Sequence, residues 1–229
     1  MVYITGDIHG STEPLHAMME KYQPTEDDIV VMLGDVGVNY TGEVRDRLMK
    51  QELSRMKPTF FCIHGNHENR PQNISSYQEM EWHGGRVLYE EDFPKLLFPL
   101  DGDIFDIGGK QCIVIGGAYS VDKFFRLSTG RKWWPDEQPS DTIKEYVEQQ
   151  VRTHPIDVVF SHTCPYRYVP TECFLPCIDQ STVDNSTEYW LDTIEEQLDY
   201  KAWYLGHWHI NKHIDKLHFL LHDVETLTD

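Results

Sequence analysis

The chain has 229 residues with 38 acidic against 20 basic side chains, giving a formal net charge of −18. That length suits one domain with a sizeable core, and the acidity argues against an extensive nucleic-acid footprint, because phosphate backbones are gripped by clustered Lys and Arg. The five cysteines Cys62, Cys112, Cys164, Cys173 and Cys177 form no paired framework, and no apolar run approaches a membrane span, so a cytoplasmic, reducing setting with no membrane partner is expected.

Val2 to Thr5 is a short apolar run that reads as a buried strand and leaves no room before it for a leader. A helical pattern follows over Thr12 to Tyr22, with Ser11 as its expected cap. Ile29 to Leu33 is a second strand, Glu43 to Met56 a second helix and Thr59 to Ile63 a third strand, so strand and helix alternate as in βαβ units and imply a mostly parallel sheet. After residue 80 the strands Val87 to Tyr89, Asp103 to Ile107 and Gln111 to Ile115 follow one another through short turns, as antiparallel pairing requires. Residues 118–140 read as a long irregular loop. A helix from Asp141, capped by Ser140, leads to the strand Val158 to Phe160. A last helix from Ser186, with Asn185 and Glu188 at capping-box spacing, feeds the strand Ala202 to Leu205.

Five polar clusters stand at the C-terminal ends of these runs: GDIHG at 6–10, GDVG at 34–37, GNHE at 65–68, SHT at 161–163 and GHWH at 206–209. Loops leaving parallel strands converge at that edge, so five separated segments meet at one place. The gathered groups are carboxylates, imidazoles and one amide carbonyl, donors suited to hard or borderline divalent cations. Asp7 and His9 alternate about Ile8, and His207 and His209 about Trp208. On an extended chain each pair would leave the same face. Gly6, Gly10, Gly34, Gly65 and Gly206 allow sharp turns and close backbone approach.

In this order the clusters resemble the calcineurin-like metallophosphoesterase superfamily, whose pattern runs DxH, GD, GNH[DE], H and GHxH, across residues 6–209. The resemblance implies an α/β fold, a two-sheet sandwich flanked by helices in four αββα layers, as a single domain over 1–229 with a metal site at the strand C-terminal ends. It implies two divalent ions, of Mn, Fe, Zn, Ni or Mg, with Asp7, His9 and His209 on one, Asn66, His162 and His207 on the other, and Asp35 shared. His67 matches the family's general acid. Two such ions lower the pKa of a shared water and present it as hydroxide to phosphorus, and a protonated imidazole assists the leaving oxygen. His83, in an HGG string, competes with His162 for one ligand position but follows no strand. His64 is expected beside the site and outside the ligand set.

The chain departs from the phosphoprotein phosphatase pattern GDxVDRG, because Val38 and Asn39 stand where that branch has its acid-orienting Asp and phosphate-gripping Arg. Asn39, Tyr40, Arg126 and Arg131 are candidates for the phosphate grip, and Trp134 for stacking on the organic group. The expected partner is a phosphorylated small molecule, a nucleotide or a phosphoprotein. The alternatives are a phosphoprotein phosphatase-like enzyme, a metal-dependent hydrolase of another bond, or a non-catalytic scaffold of the same fold.

Overall fold

The computed structural model describes residues 1–42 and 44–227. In chain order the elements are β1 (Val2–Thr5), α1 (Glu13–Tyr22), β2 (Ile29–Met32), α2 (Val44–Arg55), β3 (Thr59–Cys62), β4 (Tyr77–Trp82), β5 (Gly85–Glu90), β6 (Leu96–Pro99), β7 (Ile104–Ile107), β8 (Lys110–Ile115), α3 (Lys123–Ser128), α4 (Asp141–Thr153), β9 (Val158–Ser161), α5 (Ser186–Glu195), β10 (Ala202–Leu205), β11 (Lys212–Ile214), β12 (Leu217–Phe219) and β13 (Glu225–Thr226). Glu43, where the sequence pattern begins the second helix, lies outside the described residues.

Among those residues the strands form two sheets, ordered β13-β1-β2-β3-β6-β5-β4 and β11-β12-β10-β9-β8-β7. β1, β2, β3 and β6 run parallel in the first sheet, and β12, β10, β9 and β8 in the second. Antiparallel strands flank both sets. The period-two alternation of side chains explains the stacking. Val2, Ile4, Val31, Leu33, Phe61 and Ile63 meet Cys112, Val114, Val158, Phe160 and Tyr204 in one core between the sheets. The alternate residues Tyr3, Val30, Met32, Phe60 and Cys62 face outward onto Leu15 and Met18 of α1 and Met49 and Leu53 of α2. On the far side Ile113, Ile115, Val159, Trp203 and Leu205 pack against Val147 and Val151 of α4 and Leu191 and Ile194 of α5. Strands covered on both faces must be apolar throughout, which is why these runs carry almost no polar residue. The result is the four-layer sandwich expected from the sequence.

Several local expectations need correction. Thr12, and not Ser11, is the first cap of α1, and its hydroxyl is turned to Glu52 (2.6 Å) instead of the helix backbone. Ser140 does cap α4, accepting from the Ile143 N–H at 3.3 Å, a contact worth about 1 kcal/mol. The capping box on α5 does not form. Asp184, one residue earlier, accepts from the Ser186 N–H (2.9 Å), while Glu188 points inward and receives the Thr163 hydroxyl (2.9 Å). Residues 118–140 are not wholly irregular, because they contain α3. Its Phe124, Phe125 and Leu127 are exposed, so no apolar period marks it, and an Asp122–Arg126 ion pair (2.8 Å) spans its first turn.

The two sheets are also tied at one edge. His213 on β11 stands opposite His218 on β12, and Glu225 on β13 of the other sheet accepts from both, at 2.7 Å each.

Candidate metal centre

β1, β2, β3, β9 and β10 end at one edge, and the residues just beyond them turn inward. Beyond Thr5 the chain is no longer a strand, and His9 (φ 46°), Asp35 (φ 47°), His207 (φ 66°) and His209 (φ 51°) adopt the left-handed conformation. The same-face reading of Asp7 with His9, and of His207 with His209, therefore fails as an account of the backbone. The side chains converge through tight turns. A left-handed non-glycine residue costs of order 1–3 kcal/mol, and four of them at one place are sustained by the surrounding sandwich.

Glycines let the segments close. A Cβ on Gly34 would lie 2.2 Å from His162 Nδ1, one on Gly65 2.1 Å from Asp35 Oδ1, and one on Gly206 2.2 Å from Asp7 Oδ1. Each glycine thus lies against a neighbouring segment's polar side chain, where any other residue would collide with it.

The donor atoms fall into overlapping groups. Asp7, His9 and His209 bring ligand atoms within 4.8 Å of one another, as do Asp7, Asp35 and His162, and His9, Asp35 and His67. His9 Nε2 lies 2.8 Å from His209 Nε2, and Asp7 Oδ2 lies 3.4 Å from the latter. Asp35 Oδ2 lies 3.8 Å from His9 Nδ1 and 3.7 Å from His162 Nε2. On the other side, Asn66 Oδ1 stands 2.9 Å from His162 Nε2 and 3.0 Å from His207 Nδ1.

Hydrogen bonds behind these atoms fix their direction. His162 Nδ1 donates to the Leu33 carbonyl (2.7 Å), so a neutral His162 turns the lone pair of Nε2 toward Asn66. The Asn66 amide nitrogen donates to Ser120 Oγ (2.8 Å), which aims its carbonyl oxygen at the imidazoles. The His207 N–H lies 3.0 and 3.1 Å from the two Asp7 oxygens, and the His67 N–H donates to Asp35 Oδ1 (2.8 Å). Lone pairs from several segments therefore point at shared space, an arrangement that repels without a cation and fits one with nitrogen and oxygen ligands.

Charge follows the same pattern. Burial alone would raise Asp35, but the imidazoles of His162, His67 and His9 and the His67 N–H hold it at about 2, so it stays ionised. Burial and the neighbouring His162 keep His207 well below the ordinary histidine value, which leaves it neutral and able to ligate. His209 is raised by its contact with Asp7. Glu68 behaves oppositely. Burial and the nearby Asp35 raise it well above the ordinary carboxylate value, and it braces the GNHE turn by accepting the Gly65 N–H (2.8 Å).

The remaining sequence candidates divide. The Arg126 guanidinium donates to His67 Nδ1 and lies over the Tyr40 ring (5.5 Å), and Tyr40 packs edge-on against Trp134 (5.6 Å). Tyr40, Arg45, Arg126 and His67 line a small polar cleft of about 180 Å³ beside His9 and Asp35. Asn39 is buried, and its carbonyl accepts from Tyr77 (3.0 Å). Arg131 is exposed and stacks on Phe125. His83 sits in the β4–β5 turn, against the Asp106 carbonyl, and is not in the cluster. His64 is buried close behind the site, as expected, and burial drives it well below the usual histidine value.

Several neighbours were not legible. Ser120 holds Asn66, and Glu137 receives both the Ser120 N–H (3.2 Å) and the Trp133 indole (2.7 Å), so the 118–140 segment reaches the site through the Ser120 hydroxyl as well as through Arg126. Residues 163–185, given no role from sequence, form a wall of a second cleft against Asn66, His67, His207 and His209. Their sequence signal is Pro165, Pro170 and Pro176, residues that favour turns.

With the geometry in place, three comparisons bear on it. A family model described as calcineurin-like phosphoesterase matches residues 1–211. The probable glycerophosphodiester phosphodiesterase GpdQ of Arcobacter nitrofigilis is 26% identical over 141 residues, which cover 60% of this chain and 48% of that protein, so the match spans about half the relative's length. The crystal structure of TT1561 of Thermus thermophilus aligns with a TM-score of 0.50 at 12% identity, covering 90% of this chain and 80% of that one, a likeness of fold alone.

Proposed function

The chain belongs to the calcineurin-like phosphoesterase family, and from that premise we propose that it is a metal-dependent phosphoesterase, a single catalytic domain that hydrolyses esters of small phosphorylated molecules. The observation that carries this reading is the convergence of lone-pair donors from both sheets on one spot, with His162, Asn66 and Asp7 each fixed from behind. Asp7, His9 and His209 would hold one divalent ion, Asn66, His162 and His207 a second, and Asp35 both. When bound, the ions supply Lewis acidity toward phosphate oxygens and water. The relative's printed name, a phosphodiesterase, favours diesters among the substrates.

The protein's own groups have distinct tasks. Asp35, held ionised at about 2, keeps a negative charge between the two ligand sets over the whole working pH range. His67 is fixed by its N–H to Asp35, and its side chain lies beside His9 and Asp35. Its Nε2 faces Asp122 at 3.8 Å, and we assign it the proton that the leaving oxygen takes up. Arg126 carries a second reading. It donates to Nδ1, and together with burial it holds His67 below the ordinary histidine value against the pull of Asp35 and Asp122. A neutral His67 would instead give its Nε2–H to a phosphate oxygen.

The test is direct. Metal-stripped protein reloaded with Mn, Zn, Fe, Ni or Mg should take up two ions per chain and, with at least one of these metals, release alcohol from phosphate esters. Uptake of two ions without cleavage of any phosphoester would leave the scaffold reading. Cleavage of carboxylic esters or amides in preference would assign another bond.

A further inference from the structure

The second cleft is a cavity of about 470 Å³ that opens directly on Asn66, His67, His207 and His209. Tyr119, Val121, Trp208 and, from the 163–185 segment, Phe174, Leu175 and Ile178 supply its apolar lining. The Phe174 and Trp208 rings lie 6.4 Å apart at a shallow angle. Leu175 is 54% exposed at the mouth, an apolar side chain left in water beside a polar centre.

The polar groups of this cavity include imidazoles at the metal end, His67, His207 and His209, and carboxylates elsewhere. Among the described residues that line it, none is Lys or Arg, while Asp122 and Asp184 are acidic. Asp122 is paired with Arg126, and Asp184 accepts from the Ser186 N–H and the Gln138 amide, so both are held in place. Away from the imidazoles, a second phosphate, or a carboxylate, would meet these carboxylates with no Lys or Arg among the lining residues to receive it. The small cleft that shares His67 differs in holding two guanidinium groups, Arg45 and Arg126, beside Asp35 and Asp46.

From this asymmetry, and resting on the phosphoesterase reading, we infer that the larger cavity takes the organic group of the ester, and that this group is an apolar chain or ring without further anionic charge. Its size is in the range of cavities that enclose whole organic ligands. Contact with Phe174, Leu175, Ile178 and Trp208 removes that group from water next to the reacting phosphorus. Nucleoside di- and triphosphates, whose extra phosphates would face Asp122 and Asp184, are disfavoured.

The experiment uses metal-loaded full-length protein and two homologous series, n-alkyl phosphates and methyl n-alkyl phosphates, from methyl to octyl. Unbranched alcohols differ little in acidity, so the chemistry stays constant while apolar area grows. In the series that is hydrolysed, kcat/KM should rise roughly three- to fourfold per added methylene until the cavity is filled. Phe174→Ser and Leu175→Asn should each flatten that slope, which a mere loss of folded protein would not do, since it scales all members equally. Equal kcat/KM from methyl to octyl, or an unchanged slope in both variants, would overturn the inference while leaving the phosphoesterase reading intact. Absence of hydrolysis across both series, with cleavage of another phosphoester, would overturn the inference alone, and absence of metal-dependent cleavage of any phosphoester would remove that reading as well.

Discussion

Replacing Gly65 with Ala tests whether close packing at the turns positions the metal-site carboxylate. Gly65 is not in the left-handed region, so alanine meets no conformational barrier and the effect comes from space alone. Its methyl would sit 2.1 Å from Asp35 Oδ1, 2.2 Å from the Asp35 nitrogen and 2.9 Å from its Cα, against the 3.5 to 4 Å that carbon contacts need. Two of those three atoms are backbone, so no rotamer change relieves the clash, and the Asp35 turn or the Gly65 turn must move by about an ångström. Overpacking of this kind costs about 1–3 kcal/mol in stability, whereas displacing a reacting group by about 1 Å can cost about 10²-fold in rate. The expected outcome is therefore a folded protein with modestly lower urea resistance, reduced metal content after dialysis and a fall in kcat of about two orders of magnitude. Gly109→Ala provides the comparison. Nothing lies within 4 Å of its added carbon, but its φ of +73° is costly for alanine, so it should lose about 1–2 kcal/mol with metal content unchanged. If Gly65→Ala holds two ions and turns over at the wild-type rate, the argument from crowding is wrong.

Three further outcomes follow from the same geometry. Asp35→Asn should lower metal content and activity together, as elemental analysis alongside turnover would register, because that carboxylate lies between both donor sets; two tightly held ions with unchanged turnover would exclude its shared role. His67→Gln should leave metal content intact and slow alkyl ester cleavage by about 10²- to 10⁴-fold, with a smaller loss for nitrophenyl esters, whose leaving group departs unaided; equal losses would assign His67 to phosphate binding. The third concerns Glu225. Burial would raise it, yet hydrogen bonds and charge from His218 and His213 hold it below 4.5. A depressed carboxylate stabilises above its unfolded value and loses that contribution as pH falls through the folded one. Wild type should therefore exceed Glu225→Gln in denaturant midpoint at neutral pH, with the two converging as acid protonates Glu225; a constant gap down to acid pH would contradict this.

β1, β2, β3, β9 and β10 were readable because each is covered on both faces and forms a continuous apolar run, whereas β6, as apolar and as buried, went unread. Val2–Thr5 and Ala202–Leu205 have the expected bounds. The motif residues were readable for a related reason, since polar groups that close an apolar run mark a sheet edge. What was hidden has physical causes. β4 alternates Glu79 and Glu81 with Met80 and Trp82 at a sheet edge, so its mean polarity disguises it as a loop. α3 leaves its apolar side chains in water, so no period reports it. The left-handed turns at His9 and His209 are set by tertiary packing, and a histidine carries no signal of its backbone. Ser120, Glu137 and Glu188 act through partners 17 to 54 positions away, which no local pattern records.

The contact between the His207 N–H and the Asp7 carboxylate joins positions 200 residues apart. During synthesis the chain emerges from its N-terminus, so Asp7, Asp35 and Asn66 are present, and β1, β2 and β3 able to pair, long before His207 and His209 are made. For most of that interval the nascent first sheet has one face without its partner, and its acidic edge has no imidazoles from the second sheet to offset it. Docking of β9 and β10 closes the apolar face and supplies those imidazoles in the same event. Burial of the core and completion of the donor set therefore depend on the same late-made strands, β9 and β10.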